Sequence, residues 1–197
     1  MIKNSLLIGC GNIGGEYDLE CEEFLTHSKT INNCSWIENK YAYDTNKKKL
    51  HNIISNYNFK KEKAPNKKII KKYNLICIAT PTDSHYNYLN LCLDSNSEFI
   101  LCEKPISNSI QEIDNLIKKY SQSNSSILIN YFRRFQTGYK IIKEKIKELN
   151  LSPLSVKIIY NKGILNNATH ALDLFQYITN NKIEPSQVKI IKKEFDY

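Results

Sequence analysis

The chain has 197 residues, of which 41% are hydrophobic and 24% are charged, and its net charge is +8. This composition is typical of a soluble folded protein, and no apolar run reaches the roughly 18 residues of a membrane-spanning helix, so we expect a cytoplasmic protein without a membrane partner. The lysines are spread over predicted helices at helical spacing, which favours solvated helix faces over a nucleic-acid interface.

Predicted strands and helices alternate over the first 130 residues. Apolar strands are predicted at 3–8, 40–43, 75–79, 98–102 and 127–129. Helices are predicted at 16–33 (with a loop near 17–23), 47–57, 83–94 and from Ser107 or Ser109 to about 120, with a short turn after Pro65. This alternation predicts an α/β fold with a Rossmann-type, doubly wound parallel sheet.

The pattern changes after residue 130. A helix at 137–149, a strand at 155–160, a helix at 167–178 and a strand-like run at 187–195 follow one another. They predict the incomplete start of an α+β substrate domain. We therefore expect a dinucleotide-binding domain over 1–125 and a partial substrate or oligomerisation domain over 126–197.

A glycine motif, Gly9-x-Gly11-x-x-Gly14, follows the first predicted strand. Such glycines allow a tight turn and a close approach of the backbone to a pyrophosphate at a helix start. A plain structural turn is the alternative, but a second strand that ends in an acid favours a dinucleotide. Asn12 and Ile13, inside the turn, are included among the predicted cofactor contacts.

Asp44 ends the second predicted strand, where a carboxylate can accept both hydroxyls of an adenosine ribose. It lies farther from Gly14 than the roughly 20 residues of the usual fingerprint, which a longer first connection would explain. An exposed turn aspartate is the alternative. Lys47 and Lys48 nearby would tolerate a 2′-phosphate, so NADP stays an alternative to NAD.

Two more loops follow predicted strands. Thr80 and Pro81, with His85 behind them, would line the nicotinamide side of the crevice, although His85 is equally expected as a capping or surface residue. The segment 103–105, Glu-Lys-Pro, follows the strand at 98–102. It places the Lys104 ammonium at the carboxyl end of a strand, where folds of this kind hold reactive groups.

The six cysteines contain no CxxC pair, and the histidines lack ligand spacing relative to them. The apolar surroundings of Cys77 and Cys102 are typical of small buried side chains. Neither a disulfide framework nor a metal site is predicted.

Five segments then occur in one order: the glycine turn, Thr80-Pro81 with His85, Glu-Lys-Pro at 103–105, Tyr-Phe-Arg-Arg-Phe at 131–135, and Leu-Asn-Asn-Ala-Thr-His-Ala-Leu-Asp at 165–173. Together they resemble the Gfo/Idh/MocA family of NAD(P)-dependent oxidoreductases over nearly the whole chain. The Glu-Lys-Pro segment with the later His-x-x-Asp is the specific part. The resemblance implies hydride transfer between a nicotinamide cofactor and a hydroxyl-bearing carbon of a sugar or sugar derivative, such as a surface-polysaccharide precursor.

The resemblance also implies catalytic roles. Lys104 would contact the substrate hydroxyl and the nicotinamide ribose, with Glu103 beside it in the cofactor segment. His170 matches the histidine that exchanges a proton with the reacting hydroxyl, although such a histidine on a helix face is more often packed in a core. Arg133 and Arg134 would either hold a substrate carboxylate or phosphate or pair with helix acids; Arg134 is the predicted substrate contact.

One position departs from the family pattern. Family members usually carry an aspartate four residues before the histidine, where this chain has Asn166. Asparagine can hydrogen-bond a sugar hydroxyl but cannot accept a proton, which leaves His170 and Lys104 as the expected pair. Asp173 is expected to orient its helix or its neighbours.

Family members continue into an open antiparallel sheet, of which this chain would contain only two strands. This predicts a truncated chain, with a homo-oligomer only if the sheet is completed. The alternative to an active oxidoreductase is therefore a catalytically impaired dinucleotide-binding protein. A basic nucleic-acid module is a third, weaker interpretation.

Overall fold

The structure is a computed structural model that describes residues 2–152, 156–160 and 163–183. Its residues group into two compact units, Met1–Asn130 and Tyr131–Tyr197.

The first unit contains a six-stranded, all-parallel sheet. Its strands are β1 (Ile2–Ile8), β2 (Ile37–Tyr43), β3 (Lys60–Lys61), β4 (Leu75–Ile78), β5 (Phe99–Cys102) and β6 (Ser126–Ile129). The strand order is β3-β2-β1-β4-β5-β6, so the direction of winding reverses between β1 and β4. Ligands of open α/β sheets bind at such a reversal, beyond the carboxyl ends of the strands. The predicted Rossmann-type sheet is confirmed, and only the two-residue β3 was not predicted.

Five helices connect these strands: α1 (His27–Asn33), α2 (Lys47–Asn56), α3 (Lys67–Ile70), α4 (His85–Asp94) and α5 (Ile110–Tyr120). Side chains cap the starts of α1, α2, α3 and α5. Asn46 Oδ1 accepts the backbone N–H groups of Lys48 and Lys49 at the start of α2. Ser109 Oγ accepts the N–H of Glu112 at the start of α5, as the sequence predicted.

The core has two layers, one on each face of the sheet. Successive side chains of a strand point to opposite faces, and β1 shows this directly. Leu6 and Ile8 pack in the cluster that α3, α4 and α5 cover. Leu7 packs in the other cluster, with residues of α1 and α2. All three are fully buried, which explains why the strand reads as a continuous apolar run.

The connection between β1 and β2 is divided into three parts. A single π-helical turn, Asn12–Glu16, begins inside the glycine motif and contains Gly14, and α1 begins only at His27. The loop between them is held by Asp18, whose buried carboxylate accepts the N–H groups of Leu25 and Thr26 at 2.8 and 2.7 Å and the hydroxyl of Tyr57 at 3.2 Å. The long, loop-interrupted connection predicted from the position of Asp44 is therefore present.

The described part of the second unit is helical. It contains a 3₁₀ turn (Phe132–Phe135), α6 (Thr137–Glu148), a π-helical turn (Ile164–Ala168) and α7 (Thr169–Thr179). Residues 156–160 do not form the strand predicted at 155–160, because their backbone pairs with no strand of the described residues; Ile159 is 84% exposed. The run predicted at 187–195 lies outside the described residues.

The first unit ends at Asn130, after β6. The sequence placed the boundary between residues 125 and 126, ahead of this strand, yet β6 pairs with β5. The assignment of separate dinucleotide and substrate domains stays a prediction.

Three further facts concern function. No helix within the described ranges is long and apolar enough to cross a bilayer. The six cysteines are free thiols. In the part of the chain that the structure describes, no three His, Cys, Asp or Glu side chains are grouped as metal ligands would be.

Candidate functional site

A groove of about 610 Å³ opens at the carboxyl ends of β1, β2 and β4. Its size lies within the range of small-molecule sites. The loops after these three strands bring together seven of the ten predicted cofactor contacts: Gly9, Gly11, Asn12, Ile13, Asp44, Thr80 and Pro81.

The glycines of the first loop are required by close approaches of the backbone. Gly9 has φ of +97°, and a Cβ there would lie 2.6 Å from the carbonyl carbon of Ala79. A Cβ on Gly14 would lie 2.2 Å from the carbonyl oxygen of Gly9, so Gly14 supports the turn from behind and does not line the groove. A Cβ on Gly11 would meet only the Lys49 ammonium, at 3.5 Å, which leaves this face of the turn open for a ligand.

Asp44 is oriented by two backbone groups. Its Oδ2 accepts the N–H of Cys10 at 2.7 Å, and its Oδ1 accepts the N–H of Asn46 at 2.6 Å. A carboxylate has about four acceptor positions, so the remaining ones are available to ribose hydroxyls. Burial, with the charges of Asp44 and Glu16, raises the pKa of the adjacent Cys10 thiol to about 12, so this thiol stays neutral.

His85 has another position than expected. It is buried and does not line the groove. Its Nδ1 lies 2.7 Å from the carbonyl oxygen of Pro105, and its Nε2 lies 2.7 Å from that of Thr80. The ring therefore ties the loop after β4 to the loop after β5, since both of its nitrogens face backbone carbonyls. Its predicted contact with a cofactor stays a prediction.

Glu103 is also outside the groove. Its buried carboxylate accepts the side-chain N–H of Asn130 at 2.6 Å and pairs with His27 Nε2 at 2.8 Å. Burial alone would raise the pKa of Glu103, but the bonds from His27 and Asn130 lower it overall. Burial likewise opposes the charge of His27, yet contacts with Cys77 and Glu103 raise its pKa to about 10. Glu103 thus anchors the end of β5 directly before the half-buried Lys104.

The sequence did not reveal His27, because nothing in the chain marks its pairing with a residue 76 positions away. It also pointed to Lys47 and Lys48 near the groove, whereas Lys49 is the lysine of α2 that lines it. The spacing from the Asn46 cap is a signal for Lys49, since a helix turns its third residue back over its start.

In the second unit, His170 lies in the first turn of α7 and is 9% exposed. Two aromatic rings meet its imidazole edge-on. The distance between ring centres is 5.8 Å for Tyr131 and 5.5 Å for Phe132, and the angles between ring planes are 82° and 70°. These rings fix the orientation of the imidazole and exclude water from two sides of it.

Arg134 pairs with a helix acid, which is one of the two alternatives that the sequence left open. Its Nε donates to Asp173 Oδ2 at 2.8 Å, and a second guanidinium nitrogen donates to Oδ1. This hydrogen bonding to Asp173 raises the pKa of Arg134 further. The pair joins the 132–135 turn to α7 one helical turn after His170. Arg134 as a substrate contact stays a prediction, and the side chain of Asn166 lies outside the described residues.

Comparisons with known proteins agree with this geometry. Residues 3–131 match the GFO_IDH_MocA model, described as an oxidoreductase family with an NAD-binding Rossmann fold. A curated relative, myo-inositol 2-dehydrogenase of Thermotoga maritima, is 19% identical over 55% of this chain and 37% of its own length. The dehydrogenase MviM of Clostridium difficile has a TM-score of 0.75 at 19% identity, over 98% of this chain and 62% of that one.

A second similar structure is scyllo-inositol dehydrogenase of Lactobacillus casei with bound NAD(H) and scyllo-inositol. Its TM-score is 0.75 at 14% identity, over 91% of this chain and 57% of that one. At such identities the likeness shows the fold. The chain spans less than two thirds of the length of each of these three relatives.

Proposed function

Because this chain belongs to the Gfo/Idh/MocA oxidoreductase family, we propose that it is an NAD(P)-dependent oxidoreductase acting on a hydroxyl-bearing carbon of a sugar or sugar derivative. The groove at the strand reversal is the observation that carries the proposal. It joins an open glycine turn to an oriented carboxylate at the end of β2, the two features that a dinucleotide requires.

The residues of the groove fit such a cofactor. The turn from Gly9 to Gly14 receives the pyrophosphate, and Asp44 accepts the ribose hydroxyls. Thr80 and Pro81 line the continuation of the groove after β4. NAD is favoured over NADP, because a carboxylate at the end of β2 attracts hydroxyls and repels a 2′-phosphate. When bound, the nicotinamide supplies or accepts the hydride.

Two residues of the chain act on the substrate in this proposal. Lys104 donates a hydrogen bond to the reacting hydroxyl and lowers the cost of its negative charge. His170 takes the hydroxyl proton onto its imidazole during oxidation and returns it during reduction. Histidine suits this task because its ordinary pKa lies close to neutral pH.

The support for these roles differs between the two residues. Lys104 directly follows the buried anchor Glu103, so its backbone position is fixed. His170 is oriented by the rings of Tyr131 and Phe132, within a unit that the family match does not cover beyond residue 131.

The test is turnover of NAD⁺ with a panel of polyols and sugars, including myo- and scyllo-inositol. We expect Lys104→Met and His170→Asn each to lower kcat by about 100-fold or more, while His170→Asn binds NADH as the wild type does. Lys147→Gln, an exposed change on α6, is the control. Equal turnover in Lys104→Met and the wild type would remove Lys104 from the mechanism.

Asn166 favours a second candidate, a dinucleotide-binding protein with impaired catalysis. An amide cannot take the proton that an aspartate takes, which reduces the proton-transfer groups near His170. Tight NADH binding in calorimetry without turnover on the whole panel would support this candidate. Restored turnover in Asn166→Asp would show that the amide is the cause.

A further inference from the structure

We propose that Lys49 binds the pyrophosphate of the dinucleotide, as a phosphate-binding cation outside the glycine turn. This inference rests on the proposed function, because it adds a binding residue to the same groove. It concerns the diphosphate alone and does not depend on the substrate.

The ammonium of Lys49 already lies where the phosphates would pass. It is 3.5 Å from the position that a Cβ on Gly11 would occupy, at the open face of the second glycine. The fingerprint uses this glycine to let a pyrophosphate approach the backbone. Lys49 is held there by α2, whose start the Asn46 side chain caps.

The groove has little other positive charge. Among the described residues that line it, Lys49 alone is cationic, whereas Asp44 is an acid and Glu16 lies close by. A pyrophosphate brings two negative charges into this surrounding. A cation at Gly11 therefore offsets the repulsion between the diphosphate and these two acids, which the uncharged glycine turn cannot offset.

The short helical turn at the glycine motif makes this cation more important. In a long helix the peptide dipoles add up to about half a positive charge at the amino end. Here the turn Asn12–Glu16 is followed by a loop, so few aligned dipoles contribute. We infer that Lys49 supplies the charge that a longer helix would otherwise supply.

Glu16 holds the Lys49 ammonium near Gly11 through an ion pair that is easily broken. Its Oε2 lies 3.5 Å from Lys49 Nζ, and both side chains are partly exposed. Such a pair is weak, so the ammonium can exchange it for a stronger, charge-assisted bond to a phosphate oxygen.

The experiment is calorimetric titration of the full chain with adenosine, AMP, ADP, NADH and NADPH, in wild type and in Lys49→Gln. We expect the variant to bind ADP and NADH about tenfold more weakly, as the loss of one charge-assisted hydrogen bond predicts. Its affinity for adenosine, which has no phosphate, should be unchanged. Lys68→Gln is the matched control, because it removes the same charge from an exposed position of α3, outside the groove.

Each outcome decides between alternatives. Equal ADP and NADH affinity in Lys49→Gln and wild type overturns the inference and leaves the proposed function standing. A loss confined to NADPH overturns it as well, because it places the ammonium on a 2′-phosphate. A wild type that binds neither ADP nor NADH overturns the proposed function itself. Near-wild-type binding in Lys49→Arg, with matching thermal unfolding of all variants, supports the inference over a folding defect.

Discussion

Lys104 and His170 are supported by acid–base pairs of different character. The carboxylate next to Lys104, on Glu103, is buried between His27 and Asn130 inside the first unit. The carboxylate one turn after His170, on Asp173, is buried too, but its partner Arg134 is 43% exposed. We infer that the first pair is part of the core of its unit, whereas the second joins a turn to a helix close to the solvent. Breaking the first should reduce stability, and breaking the second should mainly disturb geometry.

The largest effect is expected for His27→Ala. Removal of His27 leaves the Glu103 carboxylate buried without its charged partner, which costs about 3–5 kcal/mol in comparable buried pairs. Urea unfolding followed by circular dichroism measures this loss. His51→Ala, an exposed histidine on α2, should change the free energy of unfolding by less than about 0.5 kcal/mol. Equal midpoints for His27→Ala and the wild type would show that the pair is not part of the core.

The pH dependence of stability sharpens the same comparison. The pKa of His27 is raised from 6.5 to about 10. The stability that its protonated form adds is therefore fully present below pH 6.5 and is lost as the pH rises towards 10. The pKa of Glu103 is lowered, so its contribution is lost on acidification below about 4.5. Between pH 6.5 and 10 the free energy of unfolding should fall by up to about 1.4 kcal/mol per pH unit.

Urea titrations of wild type and His27→Ala across this range isolate the contribution of the pair. The difference between them should shrink as the pH rises. A difference that is constant from pH 6 to 9.5 would mean that His27 is neutral in the folded protein.

Arg134→Gln should have the smallest effect on stability. The Arg134 side of the pair is 43% exposed, but Asp173 is buried, so the free energy of unfolding should fall by about 1–2 kcal/mol, less than for His27→Ala. Turnover should fall about tenfold or more, because the 132–135 turn with Phe132 is released from α7 and His170 loses its orientation. The KM for NAD⁺ should stay constant. Arg134→Lys should not restore kcat, since an ammonium cannot bind Asp173 with two parallel bonds.

Much of the first unit could be predicted from the sequence, because its signals are local. Apolar runs such as 75–79 mark strands that are buried on both faces, and the glycine spacing marks the turn that needs Gly9 and Gly14. The pairing of His27 with Glu103 and the two carbonyl contacts of His85 could not be predicted. They join residues that only the sheet brings together.

Less of the second unit could be predicted from the sequence. The helices α6 and α7 follow from their periodicity, but the amphipathic run at 155–160 predicted a strand that residues 156–160 do not form. An amphipathic run forms a strand only where a neighbouring strand completes its backbone hydrogen bonds. The pairing of Arg134 with Asp173 was one of two alternatives that the sequence left open. The sequence could not decide between them, because the pair depends on the tertiary contact between the 132–135 turn and α7.

The strand order also has a consequence for the synthesis of the protein. Strand β1 leaves the ribosome before the other five strands of its sheet, yet it lies inside the sheet, where its Leu7 pairs with Ala42 on one side and Cys77 on the other. The three apolar residues at 6–8 therefore lack one of their two neighbouring strands until β4 has been synthesised. Parallel pairings between distant segments form slowly and leave apolar surface open to aggregation meanwhile. Nascent chains that end before β4 should consequently depend on chaperones, and longer ones should be released from them once β4 and α4 have emerged.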